Sequence, residues 1–164
     1  MVDAQQFQAA PMIPNRVVID TNVLLDLFVF RDVRWTALLQ ALETGTLQAL
    51  TRADCAREWE IVLGYPHLPL DDTTRAAAHS DFCRLLQPWE GEADALPLPL
   101  CKDRDDQKFL ELARDAQASV LITKDKALLK LARWTRKRGM FAILRPDQLA
   151  SAAFPPPFPL PFLL

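Results

Sequence analysis

Short apolar runs alternate with longer amphipathic stretches along this chain. Arg16-Val-Val-Ile-Asp20 is a β-branched run that ends on an acid, and Ser119-Val-Leu-Ile-Thr-Lys-Asp125 repeats that form about a hundred residues later. Both predict buried strands whose carboxyl ends carry an aspartate. Leu47 to Thr51 predicts a second strand, Phe141 to Leu144 a last one, and a short extended piece is expected around Leu98 to Leu100. Helical spacing fills the gaps. Trp35, Leu38, Leu39 and Leu42 recur at i, i+3, i+4 and i+7 and stop near Gly45. Cys55, Trp59 and Val62 form a second stripe, with Asp54 as its N-cap and Gly64 closing it ahead of Pro66. Thr73 to Leu86 predicts a third helix ended by Pro88; Phe109, Leu112, Ala113 and Ala116 mark a fourth; Leu128, Leu131, Ala132 and Thr135 give the buried side of a fifth, ended by Gly139. Such alternation implies an α/β domain with a mainly parallel central sheet of about four to five strands covered by helices on both faces.

The chain has 164 residues, half of them apolar and about a quarter charged, which suits one globular domain and excludes a collagen-like, coiled-coil or disordered chain. The expected layout is a flexible N-terminal arm over 1–14, the domain over 15–149 and a Pro-rich tail over 150–164, where five of the last eleven residues are proline. No apolar stretch approaches the roughly 20 residues that cross a bilayer, and no secretory signal opens the chain, so a soluble, cytoplasmic protein with no membrane partner is expected. Cys55, Cys83 and Cys101 are odd in number and widely spaced, which indicates neither a disulfide framework nor a thiolate metal site.

Chemistry enters with the acids. Asp20 and Asp125 end strands, and ligands of open α/β sheets gather outside the carboxyl ends of strands where strand order reverses. Glu58 falls inside the apolar stripe of its helix, between Ile61 and Val62 on a helical projection, whereas Glu60 points to solvent. An inward carboxylate needs a partner, either an arginine in a structural pair or a metal. Asp103, Asp105 and Asp106 gather at a helix start, where one acid serves as a cap and the surplus calls for a positive charge. No histidine or cysteine accompanies these acids, and an all-oxygen set selects Mg2+ or Mn2+. The chemistry suited to such a set is phosphodiester hydrolysis assisted by divalent ions.

Four stretches in order then resemble the motifs of the PIN domain family. They are Val18-Ile-Asp20-Thr-Asn22-Val-Leu-Leu, Glu58-Trp-Glu-Ile-Val-Leu63, Asp103-Arg-Asp-Asp106-Gln-Lys-Phe-Leu-Glu-Leu-Ala113 and Leu121-Ile-Thr-Lys-Asp125-Lys-Ala-Leu-Leu129. Their acids are separated by 38, 48 and 19 residues, and the branch most similar is that of toxin components of toxin–antitoxin systems. The resemblance implies a Rossmann-like sheet and a metal-dependent ribonuclease site. It makes Asp20, Glu58, Asp106 and Asp125 the catalytic, metal-holding acids, with Asp103 and Asp105 near enough to assist and Asn22 and Thr123 steadying the first acid and the site water. Arg104 and Lys124 stand where the family often has Pro and Gly, which places cations near the acids to bind phosphate or partly mimic the ion.

The small net charge of −2 hides a segregation: residues 1–123 carry 19 acids and 11 bases, and residues 124–164 carry 2 acids and 8 bases. Lys126, Lys130, Arg133 and Lys137 fall within about 60° on a continuous fifth helix. With Lys124 they make either a solvated outer face or a ridge for RNA phosphates. Single-stranded or loop RNA is the expected substrate, with Trp35 and Trp134 as candidate platforms for bases and Trp59 expected in the core instead. The leading expectation is an endoribonuclease toxin restrained by an antitoxin and paired as a homodimer. A noncatalytic RNA-binding or assembly module is the alternative, and a phosphatase or receiver-like protein with an aspartyl nucleophile a more distant one.

Overall fold

The apolar runs form a five-stranded sheet in which every neighbouring pair is parallel, β1 (Ile13–Ile19), β2 (Gln48–Thr51), β3 (Leu86–Pro88), β4 (Ala118–Ile122) and β5 (Ala142–Leu144). A computed structural model describes residues 12–150. The expected arm before residue 12 and the Pro-rich tail after residue 150 lie outside the described residues. Ile13 and Pro14, placed in the arm by the sequence pattern, belong to β1, where the Ser119 hydroxyl donates to the Pro14 and Arg16 carbonyls.

Strand order is β3-β2-β1-β4-β5. The chain therefore builds outward from β1 to β3, returns to the far side of β1 and builds outward again. That reversal opens the sheet between β1 and β4 at their carboxyl ends, where Asp20 and the Thr123–Asp125 turn stand.

Strand residues alternate between two cores, as the two-residue period of a strand requires. Val17, Ile19, Val120 and Ile122 face one side, against α1 (Thr21–Phe28), α2 (Thr36–Glu43), α3 (Ala53–Leu63) and α4 (Asp72–Leu85). Val18, Leu121 and Ile143 face the other, against α5 (Gln107–Asp115) and two short helices, α6 (Lys126–Leu129) and α7 (Ala132–Lys137). Both faces are thus covered, which is why the central strands read as continuous apolar runs. The sheet and its flanking helices form a Rossmann-like α/β fold.

Three expectations need correction. No strand forms around Leu98 to Leu100; the third strand is Leu86–Pro88, and its proline is tolerated because β3 is an edge strand. The fifth helix is two helices, because the Leu131 amide bonds to Leu128 instead of Ala127 and so tightens the ladder for one turn. Arg52 rather than Asp54 occupies the cap position of α3, and Asp54 sits in the first turn, accepting the Cys55 amide at 2.9 Å. Trp59, by contrast, is in the core as expected, fully buried, stacked on Phe82 at 5.1 Å and edge-on to Phe28 at 6.0 Å.

Candidate active site

Asp20 ends β1 as the cap residue of α1, in extended conformation, and its side chain is only 3% exposed. A short relay fixes it from the neighbouring strand. The Asp125 amide donates to the Thr123 hydroxyl at 3.0 Å, and that hydroxyl donates to Asp20 Oδ2 at 2.8 Å. Thr123 is fully buried, so the relay has no competing water. Burial pushes the Asp20 carboxyl up to about 6; the Thr123 hydroxyl and the Asn22 amide oppose this, while the charges of Glu58 and Asp125 add to it. Asn22 itself presents its side chain to solvent.

The third acid comes from the other side of the crevice. Asp103 caps a single 3-10 turn, Arg104–Asp106, by accepting the Asp105 amide at 3.0 Å, and this turn delivers Asp106 into the interior. Asp103, Asp106 and Asp125 each place a carboxylate oxygen within 4.8 Å of the others. Asp125 also caps α6 through the Ala127 amide at 2.8 Å. Crowding divides the protons unequally. Burial, the hydrogen bond with Asp125 and the charges of Asp20, Asp125 and Asp103 raise Asp106 to about 8, while the bond from Asp106 holds Asp125 below its ordinary value. Asp105 stands outside this group with an exposed side chain.

Glu58 sits differently. The buried face of α3 is Cys55, Trp59 and Leu63, with Ile61 55% exposed, so Glu58 lies at the margin of the stripe instead of within it. Both of its oxygens have partners: Lys108 Nζ at 2.9 Å on Oε1, and the Thr21 hydroxyl on Oε2. Lys108 also donates to the Asp105 carbonyl. Of the cations expected near the acids, Lys124 pairs with Asp26 and Arg104 is exposed without an ion pair among the described residues. Lys108 is the cation that reaches an acid of the crevice, and sequence reasoning passed over it. A lysine in the first turn of an amphipathic helix looks solvated, and only the packing of α5 against α3 directs it inward. Thr21 was missed likewise, although it follows Asp20 directly.

These residues suit a hard divalent cation. The donors are all oxygen, three carboxylates converge, and Asp106 Oδ2 is buried with no hydrogen-bond partner among the described residues. A buried carboxyl oxygen left without a partner is costly unless a cation or donor meets it.

A family model for the PIN domain matches residues 16–127. The chain belongs to the PIN domain family. PIN domains are nuclease-type folds that typically bind divalent metals through acidic residues. No curated protein matches the chain. The PIN match begins in β1 and ends in α6, so it spans Asp20, Glu58, Asp106 and Asp125 together with Lys108.

Among the described residues, no helix of this PIN domain is long and apolar enough to cross a membrane. Lys126, Lys130, Arg133 and Lys137 are all exposed on α6, α7 and the link between them, directly after Asp125. Trp134 is half-buried under the Arg138 guanidinium, 3.8 Å from the ring centre, and Trp35 is half-buried against the core.

Proposed function

We propose that this PIN-domain protein is a metal-dependent endoribonuclease, cytoplasmic, and the toxin of a toxin–antitoxin pair. The observation that carries the reading is the convergence of Asp103, Asp106 and Asp125 beside buried Asp20, with an oxygen of Asp106 left unpartnered. Asp103, Asp106 and Asp125, whose oxygens converge, would hold Mg2+ or Mn2+, with Asp20 beside them. When bound there, the ion supplies a more acidic water and offsets charge on the phosphate.

The protein's own groups do the remaining work. Thr123 keeps Asp20 in one rotamer, and the Asp125 amide keeps Thr123 in place. Exposed Lys126, Lys130, Arg133 and Lys137 would bind phosphates on either side of the cleaved bond, without regard to sequence. Lys124, which precedes Asp125 in the chain, is drawn toward Asp26. Single-stranded or loop RNA suits a crevice that must reach one backbone. An antitoxin that covers the crevice would silence it, and a homodimer is the proposed assembly.

The test is cleavage of an end-labelled unstructured RNA. Mg2+ or Mn2+ should support endonucleolytic products, EDTA should abolish them, and Asp20→Asn and Asp125→Asn should each lower the rate by at least about a hundredfold while circular dichroism stays unchanged. Intact RNA with every divalent ion tried would favour the second reading, a noncatalytic RNA-binding module. The observation on that side is that Lys108 already neutralises Glu58.

A further inference from the structure

Glu58 and Asp106 are opposites in their bonding. Asp106 has a buried oxygen with no partner, whereas each oxygen of Glu58 is taken, one by an ammonium and one by a hydroxyl. An ammonium has only donors, and Lys108 spends two of them on Glu58 and the Asp105 carbonyl, which tie α5 and the acidic turn to α3. The pair is largely shielded, its side chains 15% and 24% exposed. Pulling Glu58 toward a metal would leave the Lys108 charge unpaired in that setting, and truncating or stranding one member of a shielded pair is strongly unfavourable. The pair nevertheless borders the crevice, since Glu58 is held by Thr21, the residue after Asp20, and Lys108 by the carbonyl of Asp105, the residue before Asp106.

Building on the metal-site reading above, we infer that Lys108 withdraws Glu58 from the ion's ligand set. Asp103, Asp106 and Asp125 carry a single divalent cation next to buried Asp20, and the Lys108 ammonium stands beside it as a fixed second positive charge for a phosphate. Glu58 is then a positioning residue for Lys108, held at its far oxygen by Thr21.

Calorimetric titration of Mn2+ into the full chain tests this, using binding rather than turnover. The double variant Glu58→Gln/Lys108→Met keeps the local net charge and removes the pair. It should bind Mn2+ within about threefold of wild type, whereas Asp125→Asn should lose at least about tenfold. Lys108→Met alone removes a like charge and frees a carboxylate oxygen. It should tighten binding by at least about threefold, a gain that mere structural damage cannot produce. If the double variant loses as much as Asp125→Asn, Glu58 is a ligand and the inference falls while the nuclease reading stands. If Lys108→Met binds no better than wild type, the ammonium is not beside the ion and the inference again falls alone. If wild type binds no Mn2+ at all, both readings fail together.

Discussion

Asp106 holds its proton to about pH 8 because three other acids and a buried setting oppose its charge. The sign of its effect on stability follows. Unfolding returns the side chain to an ordinary aspartate near 3.8, so between roughly pH 4 and pH 8 the folded protein binds more protons than the unfolded one. Stability from this group is present at acid pH and is lost as pH rises through that window; Asp20, raised to about 6, adds to the loss. Asp125, whose shift runs the other way, acts outside this window, losing stability as pH falls below its ordinary value. Asp106→Asn should therefore melt higher than wild type in EDTA at pH 8, by on the order of 1–2 kcal/mol after screening, or a few degrees, and the two should converge near pH 4. A variant that melts lower at pH 8 would show that Asp106 is satisfied without a cation. The candidate acids were legible in the sequence because strand ends and helix starts are local features. The motif already preferred Asp106 over Asp105, but the 3-10 turn capped by Asp103, which turns Asp106 inward, was not announced by any local pattern.

Among the elements, legibility tracked environment. β1 and β4 are buried on both faces, so their β-branched runs stand out. β3 has three residues and a proline and gains its strand character only from pairing with β2. α1 was invisible as a helix because seven of its eight residues are buried, which erases the amphipathic period that marks the others. α4 shows the reverse case. Its face is mostly polar, with only Ala78 and Phe82 buried, so its start depends more on the capping box in which Asp71 accepts the Thr74 amide at 2.7 Å and Thr74 Oγ1 accepts the Asp71 amide at 2.9 Å. Asp71→Ala should lower stability by about 1 kcal/mol in denaturant melts, with Asp71→Asn losing clearly less. Equal losses for the two would mean that the box contributes nothing.

Across the whole molecule, charge is segregated along the chain, and the fold sets the basic segment immediately after Asp125. Binding of single-stranded RNA by the Asp20→Asn protein should weaken steeply with salt. Lys130→Ala/Arg133→Ala should flatten the slope of log affinity against log salt by roughly 1.4, about 0.7 for each phosphate no longer neutralised. A slope that does not change would make the basic face merely solvated. The sequence by itself determined the class of fold, the two strands that end on acids, and the oxygen-only character of the candidate site, because each rests on residue type and on spacing within one segment. Only the tertiary structure decided which acids meet. Strand order reverses beside β1, α3 packs against α5, and the meeting of segments dozens of residues apart depends on how the sheet is wound. Lys108 on Glu58 is the clearest instance, an ion pair between residues 50 apart in the chain that no local pattern announces.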